Sequence, residues 1–334
     1  MSTANTAKSR PPQRSWFYWA KRILTWCFFI AVPVLLIYLA RNVEWAEVAA
    51  TLREYPLTTL AMGVVIALLS YATYSCFDLL GRAYTRHSMR IHEVLPVTFV
   101  CYAFNLNMGA IVGGVALRYR LYSRYGLDVP TITRVMSLSM VTNWLGYILL
   151  AGSLFSLGLL RLPESWELGQ TGLRLIGIAL LLVAASYFLA CGLSKRRSWH
   201  IRGHEIVLPP LKFALLQAAL GAANWSLMAL LIFLLLPQGV FYPTILAILM
   251  VSSIAGVVTH IPAGLGVIEV VFITLLQHQF PQSEIMAALI GYRAMYFLFP
   301  LALACVVYLI LEKQARGRRH EGPAAESEKA MLAG

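Results

Sequence analysis

The chain has 334 residues, 59% of them hydrophobic and only 13% charged, and a net charge of +12 at neutral pH. Apolar stretches of about 18 residues or more exclude an ordinary soluble domain, and they are far longer than the roughly 9 to 11 alternating residues of a barrel strand, which leaves an α-helical membrane bundle. In a soluble domain such positive charge would suggest nucleic acid, but here the cations sit in loops between apolar stretches and no nucleic-acid partner is expected.

Residues 1–22 form a basic segment with Lys8, Arg10, Arg14, Lys21 and Arg22. Residues 23–40 follow as an apolar run without a small-residue cleavage site, which reads as an uncleaved first span. Further full spans are expected at 57–80, 134–160, 174–193, 212–237 and 285–311. Two other apolar segments are interrupted. Residues 94–117 break at Asn105-Leu106-Asn107-Met108-Gly109, with Gly113-Gly114 just beyond, and residues 244–280 break at His260-Ile261-Pro262-Ala263-Gly264-Leu265-Gly266, followed at once by Glu269. Helix breakers and ionisable groups persist at membrane depth only where protein or a wet cavity surrounds them. Residues 23–312 therefore read as a single transmembrane domain, and 313–334 as a disordered basic tail. The fold class is an all-α polytopic membrane protein with about six full spans plus two broken or re-entrant helical hairpins.

The remaining cations group at Arg82, Arg86 and Arg90, at Arg118, Arg120, Arg124 and Arg134, and at Lys195, Arg196, Arg197, Arg202 and Lys212. Flanking cations resist translocation, so these groups and both termini are expected in the cytoplasm. Each interrupted segment must then return to the side from which it starts, one hairpin opening inward and the other outward. Span, hairpin, span over 57–160 and again over 212–311 is the arrangement of an inverted repeat. As helix, 94–104 and 110–117 would rise roughly 16 and 12 Å, about half of a hydrocarbon core, whereas 244–260 and 265–279 would rise roughly 25 and 23 Å, nearly enough to cross.

Several residues in this frame are candidates for chemistry. Asn105 and Asn107 sit at the first turn, where they either cap broken helix ends or contact a ligand. Arg118, Arg120 and Arg124 alternate with aromatic and aliphatic residues, as snorkelling anchors or as forks for lipid phosphate. Glu269 and Arg293 are each costly alone at their depth, so they either pair with each other or face a polar cavity, Arg293 binding an anionic group and Glu269 a cationic one or a proton. His260 is a packed or capping residue or a proton relay. Asp78, near the end of its span, is a further proton-coupling candidate that can also snorkel. Asn143 with Trp144, and Asn224 with Trp225, put polar groups into two spans, for interhelical hydrogen bonds or for the headgroup. The five cysteines, Cys27, Cys76, Cys101, Cys191 and Cys305, all lie in apolar segments without metal-ligand or redox spacing. No nucleotide-binding loop or zinc helix motif is present, so no cofactor and no enzyme activity are expected.

Cys101-Tyr102-Ala103-Phe104-Asn105-Leu106, Gly113-Gly114 with Arg118-Tyr119-Arg120-Leu121, Thr142-Asn143-Trp144-Leu145-Gly146-Tyr147, and Ser252-Ser253-Ile254-Ala255-Gly256 through Glu269 resemble the lysylphosphatidylglycerol synthase transmembrane-region family, in particular its stand-alone bacterial inner-membrane members. The resemblance covers essentially residues 15–312. That family includes the flippase half of the multiple peptide resistance factor, so the resemblance implies lipid translocation in a bacterial inner membrane. No aminoacyl-transferase domain is recognisable after Glu312, so lipid synthesis is not implied. On this expectation membrane phospholipids, with anionic headgroups favoured, are the partners. Arg118, Arg120 and Arg293 bind phosphate, Asn105, Asn107 and Asn143 hydrogen-bond the headgroup, and Glu269 with His260 balances charge or couples protons. Two rivals stand beside it. One is an intramembrane enzyme on a lipid or polyprenyl phosphate with His260 and Glu269 as acid and base; the other is a scaffold for lipid-synthesis enzymes.

Overall fold

A computed structural model describes residues 45–160, 162–163, 169–194, 198–201, 204–259 and 266–314. The expected span at 23–40, most of the basic tail and His260 lie outside the described residues. The elements below belong to the unit Val48–Gly334, apart from the first residues of α1.

In chain order the helices are α1 (Trp45–Glu54), α2 (Leu57–Thr85), α3 (Ile91–Met108), a π-helical turn (Ala110–Ala116) leading into α4 (Leu117–Arg124), α5 (Val129–Ser156) and α6 (Gly169–Leu193). A two-stranded antiparallel ribbon, β1 (Ser198–Ile201) and β2 (His204–Val207), precedes α7 (Leu211–Leu235), α8 (Tyr242–Thr259) and α9 (Val267–Leu276). The last helix, α10 (Gln282–Gln314), contains a π-helical stretch at Ala294–Leu298. A proline immediately precedes α2, α7 and α10 (Pro56, Pro210 and Pro281), where its missing N–H costs nothing and its fixed φ starts the helix. The protein is thus an all-α polytopic membrane protein. Among the described residues α2, α5, α6, α7, α8 and α10 are long and apolar enough to cross a bilayer.

The five expected spans that fall within the described residues stand, with ends shifted by a few residues, and the helix α1 and the β ribbon are additions. The arms of the hairpins differ from expectation. α3 runs 18 residues, about 27 Å, and not the roughly 16 Å expected, because the turn falls at Gly109 and not at the asparagines. Gly109 adopts φ +84°, ψ 166°, a conformation open to glycine alone, and the helix continues through Asn105 and Asn107 up to it. In the second hairpin α8 also runs 18 residues and can cross, but α9 has only 10 and cannot. Gly266 at φ +80° opens α9 late.

Paired contacts fix the directions. Gly63 lies against Leu231, Ser70 against Asn224 and Tyr84 against Phe213, so α2 and α7 are antiparallel. Gly81 meets Val135, so α5 opposes α2; Gly291 meets Leu235, so α10 opposes α7. The unit α2, α3–α4, α5 is therefore repeated upside down as α7, α8–α9, α10, with α6 supplying the extra crossing. α6 packs mainly on α5, and only 17% of its apolar window is buried, which leaves the rest to lipid.

Small residues bring the helices into close contact. A Cβ on Gly146 would lie 2.1 Å from the backbone of Gly221, and one on Gly221 would lie 2.2 Å from the Thr142 carbonyl. Within the first hairpin a Cβ on Gly113 would lie 2.2 Å from the backbone of Phe104 and Asn105, so the two arms touch backbone to backbone.

Candidate functional site

Three charged centres and one hydroxyl network lie inside this framework. The most enclosed centre is built around Asp78 on α2. Arg118 on α4 donates Nε to Asp78 Oδ2 (3.1 Å) and Nη2 to Oδ1 (2.9 Å), and the hydroxyls of Tyr122 (2.7 Å) and Thr98 (3.1 Å) donate to the same Oδ2. Arg118 Nη2 also reaches Ser139 on α5 (3.4 Å), and the guanidinium lies 5.9 Å from the centroid of the Tyr74 ring. The side-chain exposures are 0% for Asp78 and 5% for Arg118. The expectation that Asp78 snorkels is corrected: the hairpin folds over the end of α2 and seals the carboxylate from solvent. Arg118, expected as a phosphate fork, presents its fork to Asp78. At the loop edge of this centre His87 accepts the Met89 N–H at Nδ1 (3.3 Å), and burial, reinforced by Arg82, holds its pKa below the ordinary value.

The second centre joins the hairpin end to the last helix. Glu312 on α10 forms ion pairs with Arg124 and, at 3.6 Å, with Arg120, whose guanidinium lies 5.9 Å from the Tyr308 ring centroid.

The third centre is the pair that the isolated charges of the sequence point to. Glu269, in the first turn of α9, receives Arg293 Nε at Oε1 and Arg293 Nη2 at Oε2 (3.0 Å), a side-on bidentate pair. The α9 N-terminus favours that carboxylate. Side-chain exposures of 18% for Arg293 and 16% for Glu269 distinguish this pair from the sealed one at Asp78. Of the alternatives left open by the sequence, the structure shows the mutual salt bridge.

Both hairpins converge on α10 near this pair. Asn107, at the tip of the first hairpin, donates Nδ2 to its own Ala103 carbonyl (2.8 Å) and to the Phe297 carbonyl (3.3 Å) within the π-helical stretch. The Arg293 guanidinium lies 5.8 Å from the Phe297 ring centroid. Four helical residues, a rise of about 6 Å, therefore separate the anchor of the first hairpin from that of the second. A π-helical stretch frees carbonyls from the i to i−4 ladder, which is why such stretches recur at working sites. Asn105 is half-buried, with its Oδ1 against Gly114. Asn143 offers its backbone carbonyl to Trp225 Nε1 (3.3 Å), and Trp144 is 37% exposed beside the Tyr147 ring, so neither approaches Arg293 through a described contact.

Sequence reasoning missed the buried hydroxyls between the charged centres. Ser70 donates to Asn224 Oδ1 (2.9 Å), Ser70 and Tyr102 hydroxyls lie 2.8 and 2.9 Å from the Tyr296 hydroxyl, and Tyr71 donates to the Tyr296 carbonyl (3.0 Å). Tyr74 stacks on Tyr102 at 3.6 Å and Tyr292 on Tyr296 at 5.4 Å. Asn224 thus makes the interhelical hydrogen bonds expected of it. A usable signal is the spacing of Tyr71 with Tyr74 and of Tyr292 with Tyr296, three and four residues apart and so on one helix face.

Cavities open at the mouths of the hairpins. One of about 370 Å³ lies between His92, Pro96 and Tyr125 of the first hairpin and Val307, Leu311 and Gln314 of α10. Another of about 480 Å³ lies between Thr244, Thr274 and His278 of the second hairpin and Leu159, Leu160 and Pro163 after α5. The inverted repeat relates the two: each joins a hairpin mouth to the end of the third span of the other repeat. Among the described residues no group of three or more His, Cys, Asp or Glu side chains is placed to hold a metal.

Comparison with known proteins agrees with this architecture. The chain is 49% identical over 320 residues to the inner membrane protein YbhN of Escherichia coli, covering 96% of this chain and 99% of that protein. It is 28% identical over 288 residues to the Synechocystis protein slr0712, covering 85% and 89%. A more distant similarity, 25% over 309 residues, is to the phosphatidylglycerol lysyltransferase of Bacillus subtilis; the match spans 85% of this chain but only 34% of that enzyme. Residues 24–304 match the family described as Lysylphosphatidylglycerol synthase TM region, and it is to that membrane protein family that the chain belongs.

Proposed function

We propose that this protein moves phospholipid between the leaflets of a bacterial inner membrane, with residues 23–312 as the translocating domain and both termini in the cytoplasm. The observation that carries the reading is the Glu269–Arg293 pair: bidentate, partly exposed, and placed where the second hairpin meets the π-helical stretch of α10. A lone charge at bilayer depth costs about 2.5 to 3.5 kcal/mol or more. A protein that carries headgroups across must therefore offer charged and hydrogen-bonding groups inside, and must do so without stranding its own charges when no lipid is bound. A pair that closes on itself in the empty state and opens to a headgroup meets both demands.

In this reading the cavities at the hairpin mouths receive headgroups from opposite leaflets, and Arg293 binds the phosphate at the midpoint. Arg120 and Arg124, paired with Glu312, hold the end of the first hairpin to α10, while Asn105, Asn107, Asn143 and Trp144 supply hydrogen bonds along the way. Arg118 and Asp78 act at one remove, by holding the first hairpin in place. Acyl tails stay in lipid.

The test is leaflet exchange of tail-labelled phospholipid in proteoliposomes. Wild type is expected to accelerate exchange, and Glu269→Ala and Arg293→Ala to lose most of that acceleration while retaining helicity and monodispersity. Unchanged exchange in both variants would sink the site, and no exchange by folded wild type would sink the reading.

A further inference from the structure

Resting on that translocation reading, we propose that the Glu269–Arg293 site selects a zwitterionic phospholipid headgroup, one phosphate and one ammonium joined by a short link, over an anionic one. The expectation of an anionic headgroup assigns Arg118, Arg120 and Arg293 to phosphate, and the structure places Arg118 on Asp78 and both Arg120 and Arg124 on Glu312. At the third centre each charge is matched by its partner, side-on, through Arg293 Nη2 to Glu269 Oε2 at 3.0 Å and Arg293 Nε to Oε1.

What can replace that contact follows from charge balance. A phosphate fits the guanidinium edge in the same bidentate manner as a carboxylate. An anionic lipid that takes Arg293 in this way leaves Glu269 stranded in a site where its side chain is only 16% exposed. Glu269 lies in the first turn of α9, where the helix dipole favours a negative charge. A headgroup with excess positive charge leaves Arg293 unmatched in its turn. A headgroup carrying one charge of each sign replaces both partners in kind, so the charge balance of the Glu269–Arg293 pair is the same before and after. Because the two side chains touch, the opened pair is bridged most directly by a short link such as the two carbons of phosphoethanolamine.

The surroundings suit the same ligand. The face of Phe297, already 5.8 Å from the guanidinium, is a surface for an ammonium. Val257, Val258 and Val270, exposed by 54%, 71% and 64%, offer apolar surface on the same hairpin for the attached tails.

The experiment measures exchange of tail-labelled phosphatidylethanolamine, phosphatidylglycerol and lysyl-phosphatidylglycerol by the full chain in otherwise identical vesicles. Wild type should move phosphatidylethanolamine about tenfold faster than phosphatidylglycerol, a difference of about 1.4 kcal/mol. Glu269→Gln, similar in shape and, unlike alanine, still able to hydrogen-bond Arg293, should reverse that order in the exchange that remains, because Arg293 then meets an anion without a stranded carboxylate. The double variant Glu269→Arg with Arg293→Glu rebuilds the pair in the opposite sense and should restore the preference for phosphatidylethanolamine, which controls for a folding defect in the single variant. Faster exchange of phosphatidylglycerol or of the lysylated lipid by wild type, or an order unmoved by Glu269→Gln, would overturn the headgroup assignment and leave translocation standing. No movement of any lipid would overturn both.

Discussion

Replacement of Asp78 by Asn tests how the first hairpin is held. The side chain keeps its shape but loses its charge, and one of its oxygens becomes an amide that cannot accept from Arg118. In the native protein that carboxylate accepts two hydrogen bonds from Arg118 at 2.9 and 3.1 Å, one from Tyr122 at 2.7 Å and one from Thr98 at 3.1 Å. With Asp78 fully buried and the Arg118 side chain only 5% exposed, the substitution strands a guanidinium where water cannot reach it. Removing one partner of such a pair costs about 3 to 5 kcal/mol, a large part of a total stability of about 5 to 15 kcal/mol. The matched double variant, Asp78→Leu with Arg118→Met, removes both charges and should recover most of that loss, since apolar replacements of buried pairs are often neutral. Reversible unfolding of the purified protein in detergent measures all of these variants and gives the coupling energy directly. A loss below about 1 kcal/mol for Asp78→Asn, or a double variant as unstable as the sum of the single ones, would refute the argument that this ion pair fastens the hairpin.

Other substitutions test the packing and the hydroxyl network. Gly221→Ala should destabilise by about 1 to 3 kcal/mol in the same assay, because its Cβ would sit 2.2 Å from the Thr142 carbonyl and force α5 and α7 apart; a neutral result would contradict the close crossing. Tyr296→Phe should cost about 1 to 2 kcal/mol by removing the hydroxyl that meets both Ser70 and Tyr102. Tyr292→Phe should be neutral or stabilising, since its buried hydroxyl has no hydrogen-bond partner among the described residues. The opposite order of these two tyrosine variants would show that the network is wrongly drawn.

The second hairpin is nearly legible in the amino-acid sequence. His260 to Gly266 break an apolar run, and Glu269 and Arg293 are too costly to leave unmatched, so a mutual pair is one of the alternatives that the residues themselves allow. The first centre is not legible there. Asp78 sits near the end of its span, and from that position alone snorkelling is the cheaper expectation. What encloses it is α4, which returns from the turn at Gly109 and lays Arg118 and Tyr122 over it. The asparagines suggest a turn at Asn107, and the helix instead runs on past it, because the residue able to take φ +84° is Gly109. The tyrosine network is hidden because aromatic residues are ordinary in membrane helices, and only their hydroxyl partners distinguish Tyr102 and Tyr296 from packing.

The sequence by itself determined the class of the protein, the positions of the described spans, the two breaks and their opposite sense. These depend on local quantities: the length of an apolar run, the backbone freedom of glycine and proline, and the cost of moving flanking cations across lipid. Tertiary structure decided which charges meet. Arg118 reads in the sequence as one of a group of flanking cations and Arg293 as an isolated charge at depth, yet it is Arg118 that is sealed, against Asp78, and Arg293 that remains partly open, with Glu269. The partner of a charge is set by which helices pack together and at what rotation, and contacts such as those at Gly63, Gly146 and Gly221 fix that rotation between residues far apart in the chain.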